Sequence, residues 1–438
     1  MKSKIVFWVM AGLLVLAQFN DKRWKPLDVF TYDAGGYYAY LPTLLLDHTP
    51  ARVDSLEARL NRQRAPQPVV NIGMTRLPGG QAISKYPLGV ALGELPWFGG
   101  AHLWATLTGQ PRTGISRPYQ QAMMVAGLVY GLLGLWLLRR LLRHLWPTDD
   151  AAVAWALAGV GLGTNAFCYI SYDAAISHAP LFLWQTALLT CVVQWYETFR
   201  PRYALGMGLF LGLAMLVRPT EILYALLPLA WGLSSWAAVR ARPGLWARHA
   251  GALVAAIVVA GLIIGLQPLF WRLVVQQWYV YTYKNEGFDF LHPNIINGLF
   301  SYRKGWLLYT PMVGLMLLGI RHLRRQLPAA VPALLVLVPV LVYVTFSWRE
   351  WYYGGGFSAR PLVSLYPVLA LPLAALVHEI RARSRFRYFL TGALITGFCV
   401  LNLWQTWQFS AGIIHYDSTT RSRYWHNFFT TSTGDLKP

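Results

Sequence analysis

The sequence predicts an all-α integral membrane protein, with about eleven transmembrane helices and interfacial helices in a long first periplasmic loop. Three observations predict it. Only 13% of the 438 residues are charged, about half the roughly 25% of a soluble domain. Apolar runs of about 15–22 residues recur along the chain, close to the roughly 20 that a helix needs to cross the hydrocarbon core. Arginines cluster in alternate short connections, and the 20 Trp and 24 Tyr suit belts at the two membrane surfaces.

Taken in order, Lys2 and Lys4 precede the apolar run 5–19. No small-residue cleavage site follows it, so it reads as an uncleaved first helix with a cytoplasmic N-terminus. The segment 20–117 forms the first outer loop. Its two partly apolar stretches, 37–46 and 86–107, suit interfacial helices. Between them, 52–76 is polar without sustained period and is expected to be a solvated loop. Ten further spans are expected near 118–138, 151–168, 176–195, 203–217, 220–238, 251–271, 306–320, 329–346, 362–378 and 388–404. The membrane domain is thus 1–404, and 405–438 is a short outer tail.

The loop charges orient these spans. With the N-terminus inside, the inner connections hold Arg139, Arg140 and Arg143; Arg200 and Arg202; Arg240, Arg242 and Arg248; Arg321, Arg324 and Arg325; and Arg381 to Arg387. That is the positive-inside bias of a cytoplasmic (inner) membrane protein, and it also accounts for the net charge of +20 through attraction to anionic lipid. Basic residues confined to short loops argue against a nucleic-acid partner. Cys168, Cys191 and Cys399 form no disulfide or metal spacing and read as small packing residues. Gly127/Gly131, Gly208/Gly212 and Gly261/Gly265 are spaced for close helix approach. Asp149 and Asp150 after Pro147 read as a helix cap.

This orientation sends the unusual polar residues to the outer side. The acids there include Asp33, Asp173, Glu286 and Glu350, suited to proton transfer. The cations are Lys85, Arg218, Arg303, Lys304 and Arg360, suited to an anionic leaving group. Tyr37, Tyr38, Glu94, His178 and Tyr352 complete the candidates. Blander roles exist for each: Asp33 also fits an N-cap, Lys85 a headgroup contact, His178 a packed core histidine, and the Tyr352 to Arg360 stretch a glycine hairpin. A transporter would place ionisable groups near the midplane and show repeats, and the sequence shows neither.

Four stretches carry a family resemblance. They are Asp33-Ala34-Gly35-Gly36-Tyr37-Tyr38; Lys85-Tyr86-Pro87-Leu88-Gly89; Ser171-Tyr172-Asp173 through His178 and Pro180; and the Gly206 to Thr220 helix ending in Arg218-Pro219. Together they resemble the GT-C superfamily of integral membrane glycosyltransferases, in the branch of protein mannosyltransferases and lipid A aminoarabinose transferases. The frequent Asp-Glu pair of that family is Asp33-Ala34 here. The resemblance implies inverting transfer of a sugar from a polyprenyl-phosphate donor to a lipid, glycan or protein acceptor on the periplasmic side. Asp33 would be the base, with Asp173 as a second catalytic acid, and Arg and Lys would hold the phosphate. No cofactor is implied; a divalent metal at Asp33 and Asp173 is compatible but not required. The alternatives are a lipid-linked-sugar flippase or transporter, or a polysaccharide ligase or polymerase using a diphosphate donor.

Overall fold

A computed structural model describes residues 1–20, 24, 28–284 and 286–436. The parts of the first outer loop, the 276–302 loop and the tail that fall at 21–23, 25–27, 285 and 437–438 lie outside the described residues. Among the described residues the fold is helical apart from one two-stranded hairpin.

The first apolar run forms α1 (Lys2–Asn20), which turns Phe7, Met10 and Leu14 into the core at the spacing of one helical stripe. α2 (Tyr32–Tyr38) and α3 (Tyr40–Leu45) fill the expected 37–46 stretch. The polar stretch 52–76 is not a solvated loop. It holds α4 (Val53–Arg64) and β1 (Met74–Arg76), which pairs antiparallel with β2 (Ala82–Ser84). Val53, Leu56 and Leu60 supply a buried stripe for α4. Asp54 in its first turn and Arg62 and Arg64 in its last complement the helix dipole. Arg59 then clamps Asp47 with bonds of 2.9 and 2.8 Å, fixing α4 beside the end of α3. α5 (Gly89–Leu107) carries the second interfacial stretch, with Pro96 inside it.

The bundle continues with α6 (Arg117–Leu145), α7 (Asp150–Gly161), α8 (Ala166–Ile170), α9 (His178–Thr198) and α10 (Pro201–Val217). A 3-10 turn at Pro219–Ala225 leads into α11 (Leu226–Ala230), followed by α12 (Trp236–Arg248), α13 (Ala250–Ile264) and α14 (Leu266–Val275). Then come α15 (Ile295–Phe300), α16 (Trp306–Tyr309), α17 (Met312–Leu318), α18 (Ile320–Gln326) and α19 (Ala330–Phe346). A second 3-10 turn, Arg360–Leu365, opens α20 (Tyr366–Arg383), and α21 (Arg385–Ser410) and α22 (Arg421–His426) close the chain.

Five stretches are long and apolar enough to cross a membrane: Lys2–Asn20, Arg117–Leu145, Ala250–Val275, Arg360–Arg383 and Arg385–Ser410. Asp150–Gly161, Pro201–Val217, Pro219–Ala230 and Ala330–Phe346 are shorter apolar helices. Three expected spans are interrupted. The 151–168 run breaks between α7 and α8, 220–238 breaks after Ala230, and 306–320 is cut at Pro311 and Gly319. Proline removes a backbone donor and glycine weakens a helix, so apolar length alone overstates helix continuity. The last span extends to Ser410, so the tail begins later than position 405.

Burial sorts the helices. The α20 stretch is 94% buried and forms the centre of the bundle, whereas α13–α14 is 11% buried. An apolar helix that leaves Ile257, Leu262 and Leu273 exposed needs a nonaqueous medium on that face. Gly127 and Gly208 meet the backbone carbonyls of Ala174 and Ala256, leaving no space for a Cβ, as their spacing predicts. Gly261, by contrast, has no neighbour within 4 Å, so the third pair makes no close crossing. Asp149 does cap α7, accepting from Ala152 N at 3.1 Å.

One end of the bundle gathers the arginine-rich turns. The Met1 amine meets Asp150 at 2.9 Å, Asp149 holds His378 at 2.9 Å and Arg381 at 2.5 Å, and Arg383 meets Glu379 at 2.6 Å. The segments entering α2, α5, α9 and α20 converge elsewhere, and there the candidate site forms.

Candidate functional site

Asp33 lies in the first turn of α2, but Thr31 is the N-cap and Asp33 serves no capping role. Its carboxylate is divided between two partners. Arg360 approaches one oxygen at 2.6 Å, and the Tyr86 hydroxyl donates to the other at 2.5 Å. Two glycines make this possible. A Cβ on Gly36 would fall within the Tyr86 ring and the Ile72 carbonyl, and one on Gly89 would stand 2.6 Å from the Leu216 carbonyl. The second contact seats the start of α5 against the end of α10, which brings Lys85 and Tyr86 into the neighbourhood of Arg218.

Arg218 donates to Ser177 Oγ at 3.1 Å and lies 3.6 Å from Glu221. Ser177 also hydrogen-bonds Tyr37, whose ring lies 4.5 Å from that of Tyr86. His178 is buried with its ring 4.6 Å from Tyr169. It is a packed histidine beside the arginines. Lys85 is paired with Glu286 and lies over the Tyr283 ring at 4.9 Å. Arg218 and Glu221 border a small crevice with Tyr353, while Asp33, Lys85, Tyr86, Tyr283, Glu286 and Glu350 line a separate cavity of about 550 Å³. That volume suits a small polar ligand. Tyr32 (φ 47°) and Lys284 (φ 53°) in the cavity wall have left-handed backbone, as do Tyr353 (φ 54°) and Ser358 (φ 57°) in the loop that carries Arg360. Such conformations cost of order 1–3 kcal/mol each and persist only where the surroundings enforce them.

The Arg360 loop is held from beneath. Tyr169 hydroxyl accepts from Phe357 N at 2.7 Å and donates to Phe357 O at 2.9 Å. Lys304, only 2% exposed, donates to the carbonyls of Gly356 and Tyr416. Arg303 pairs with Asp417 at 3.0 Å and stacks on Tyr352 at 3.4 Å. Arg303, Lys304 and Tyr352, expected to meet substrate, are placed where they tie this loop to the tail. The Tyr416 carbonyl and the Asp417 carboxylate follow α21, too far along the chain for local pattern to pair them.

Two more candidates fall outside the cavity. Tyr38 is fully buried, stacked on Phe30 at 3.8 Å and bonded to the Gly114 carbonyl. On a short helix Tyr37 and Tyr38 point apart, and only one can face the site. Glu94 is 4% exposed near Tyr38 and Tyr130, and its Oε2 has no hydrogen-bond partner among the described residues. Conversely, Tyr86 and Tyr283 line the cavity without being among the candidates, while Ser177, Glu221 and Tyr353 lie beside Arg218. Tyr86 and Ser177 adjoin the candidates Lys85 and His178, which is the signal they offered.

Electrostatics bind the group together. Burial raises the Asp33 carboxyl, but Arg360, the Tyr86 bond and Lys85 outweigh it and hold it below the usual aspartate range. Burial drives Tyr86 well above the usual tyrosine range, and Asp33 adds to that. Around Arg360 stand Asp33, Tyr169 and Asp173. Asp173 thus belongs to the same field. Lys304 is pushed down to about 7 by burial, with Arg360 contributing. Among the described residues no group of three or more His, Cys, Asp or Glu side chains could hold a metal. No protein-family model matches the chain, and a search of curated proteins finds no match.

Proposed function

We propose that the chain is an integral membrane glycosyltransferase that moves a sugar from a polyprenyl-phosphate donor to a lipid, glycan or protein acceptor. The observation that carries this reading is a carboxylate, Asp33, which borders an open polar cavity with Arg360 2.6 Å from it and Arg218 close to the nearby Tyr37. A base and a phosphate clamp on one site are the minimum that inverting transfer needs. Asp33 takes the proton of the acceptor hydroxyl or amine as that atom bonds the anomeric carbon. The bond from that carbon to phosphate breaks, and its electron pair leaves with the polyprenyl phosphate. Arg218, Arg360 and Lys85 stabilise the charge that develops there. Asp173 adds field at Arg360 rather than a second proton site.

The five long stretches, the four shorter apolar helices, α9 and the broken α16–α18 run together make about eleven crossings in this reading. The arginine-rich end, with the N-terminus, faces the cytoplasm of an inner membrane, and the cavity opens to the periplasm. The test is mass spectrometry of envelope glycans and glycolipids from cells with the protein, without it, and with Asp33→Asn. A glycoform lost in the last two supports the reading, and identical profiles in all three refute it.

A further inference from the structure

Each of the five cations expected to meet phosphate already has a partner inside the protein. Lys85 has Glu286, Arg218 has Ser177 and the more distant Glu221, Arg303 has Asp417, Lys304 has two carbonyls, and Arg360 has Asp33. A phosphate entering this site must therefore compete with the protein's own groups. Arg303 and Lys304 are committed to the tail, and Lys85 lines the cavity already paired with Glu286. Arg360 is the cation whose partner is also the proposed base.

We infer that Asp33 is the resting occupant of the Arg360 anion site, and that a phosphate ester, the diester of the lipid-linked sugar donor or its monoester product, binds by displacing Asp33 from that guanidinium. The inference rests on the glycosyltransferase reading for its ligand. Asp33 gives Arg360 only one carboxylate oxygen, and a guanidinium takes phosphate oxygens as readily as carboxylate ones, so a phosphate can replace it without rebuilding the site. The backbone of the loop need not move, because Tyr169 pins Phe357 and Lys304 pins Gly356. Only the Arg360 and Asp33 side chains exchange partners. Asp33 then keeps the Tyr86 hydroxyl, with Lys85, Tyr37 and Tyr283 as its other charged or titratable neighbours. Relieved of Arg360, it becomes free to accept a proton when the donor is seated. Its basicity is thus coupled to donor binding, which protects the phosphate-linked sugar from an idle base.

The test measures binding of inorganic phosphate, farnesyl phosphate and farnesol to the full chain in detergent or nanodiscs. If Asp33 competes for Arg360, Asp33→Asn binds both phosphates more tightly, by about tenfold for one removed competing charge. In an Arg360→Ala background the same change shifts affinity less than about twofold. Weaker or unchanged phosphate binding in Asp33→Asn overturns the proposal and leaves the transferase reading standing. Phosphate binding absent from every variant removes both. Equal gains for inorganic and farnesyl phosphate locate the competition at the phosphate; a gain for farnesol as well would assign it to the lipid and overturn the proposal. Should Asp33→Asn not fold, infrared difference spectra of wild-type protein carrying ¹³C-labelled aspartate serve instead. A carboxylate band shift with farnesyl phosphate but not farnesol supports displacement, and its absence refutes it.

Discussion

The Tyr86 hydroxyl donates to Asp33 at 2.5 Å from a ring that occupies the space a side chain on Gly36 would need. Gly36→Ala therefore forces Tyr86 or α2 aside. Overpacking of this kind costs about 1–3 kcal/mol. A lower melting temperature and loss of transfer are expected. Gly99→Ala, where nothing lies within 4 Å, is the control. It should be neutral or stabilising by up to about 1 kcal/mol, as alanine is the better helix former.

Removing the proposed base tests chemistry separately from folding. Asp33→Asn keeps the shape and one acceptor for Tyr86. Loss of a positioned base lowers rates by about 10²–10⁴-fold. Transfer measured with purified protein and lipid donor should fall in that range while donor remains bound; turnover within threefold of wild type would exclude Asp33.

Arg360→Ala should weaken donor binding more than acceptor binding. It also strands Asp33, which is 26% exposed beside an Arg360 that is 13% exposed. That partial exposure places the stability cost near about 2–3 kcal/mol, at or below the low end for a buried pair. Donor titration and thermal unfolding check the two halves independently.

The pH dependence has a defined sign. Asp33 is held below its ordinary value of 3.8 in the folded protein. Its contribution to stability is therefore fully present above that value and is lost as pH falls through the lower, folded-state pKa. The stability gap between wild type and Asp33→Asn should be flat from neutral pH to about pH 5 and shrink below pH 4. A gap that widened on acidification would contradict the ion pair.

Two contacts with the tail should differ in weight. Arg303 and Asp417 are each 33% exposed, so Asp417→Ala should cost under about 1 kcal/mol. Lys304 is buried with two carbonyl acceptors, and Lys304→Met leaves both without their donor at about 1–3 kcal/mol each. Thermal melts of the two variants should separate clearly.

Much of this was legible in the chain. Helix content, the position of α2 and α5, and the gathering of Asp33, Lys85, Arg218 and Arg360 followed from apolar runs and from where the charges interrupt them. The α4 stripe of Val53, Leu56 and Leu60 was present but masked by the surrounding arginines and asparagines. What local pattern does not carry is long-range partnership. Nothing near Lys304 announces the Tyr416 carbonyl, and nothing near Tyr38 announces Gly114. Adjacent tyrosines look alike in sequence and part company only when α2 acquires a buried side.

The clasp between Lys304 and Tyr416 also sets an order of assembly. Asp33 is synthesised early and Arg360 late, and the loop that presents Arg360 gains its last anchor only when the segment after α21 arrives. During synthesis and insertion the acid therefore waits without its guanidinium, and a nascent chain stopped before Tyr416 lacks a finished site. The pairing of Asp33 with Arg360 is thus completed only after the last helices are in place.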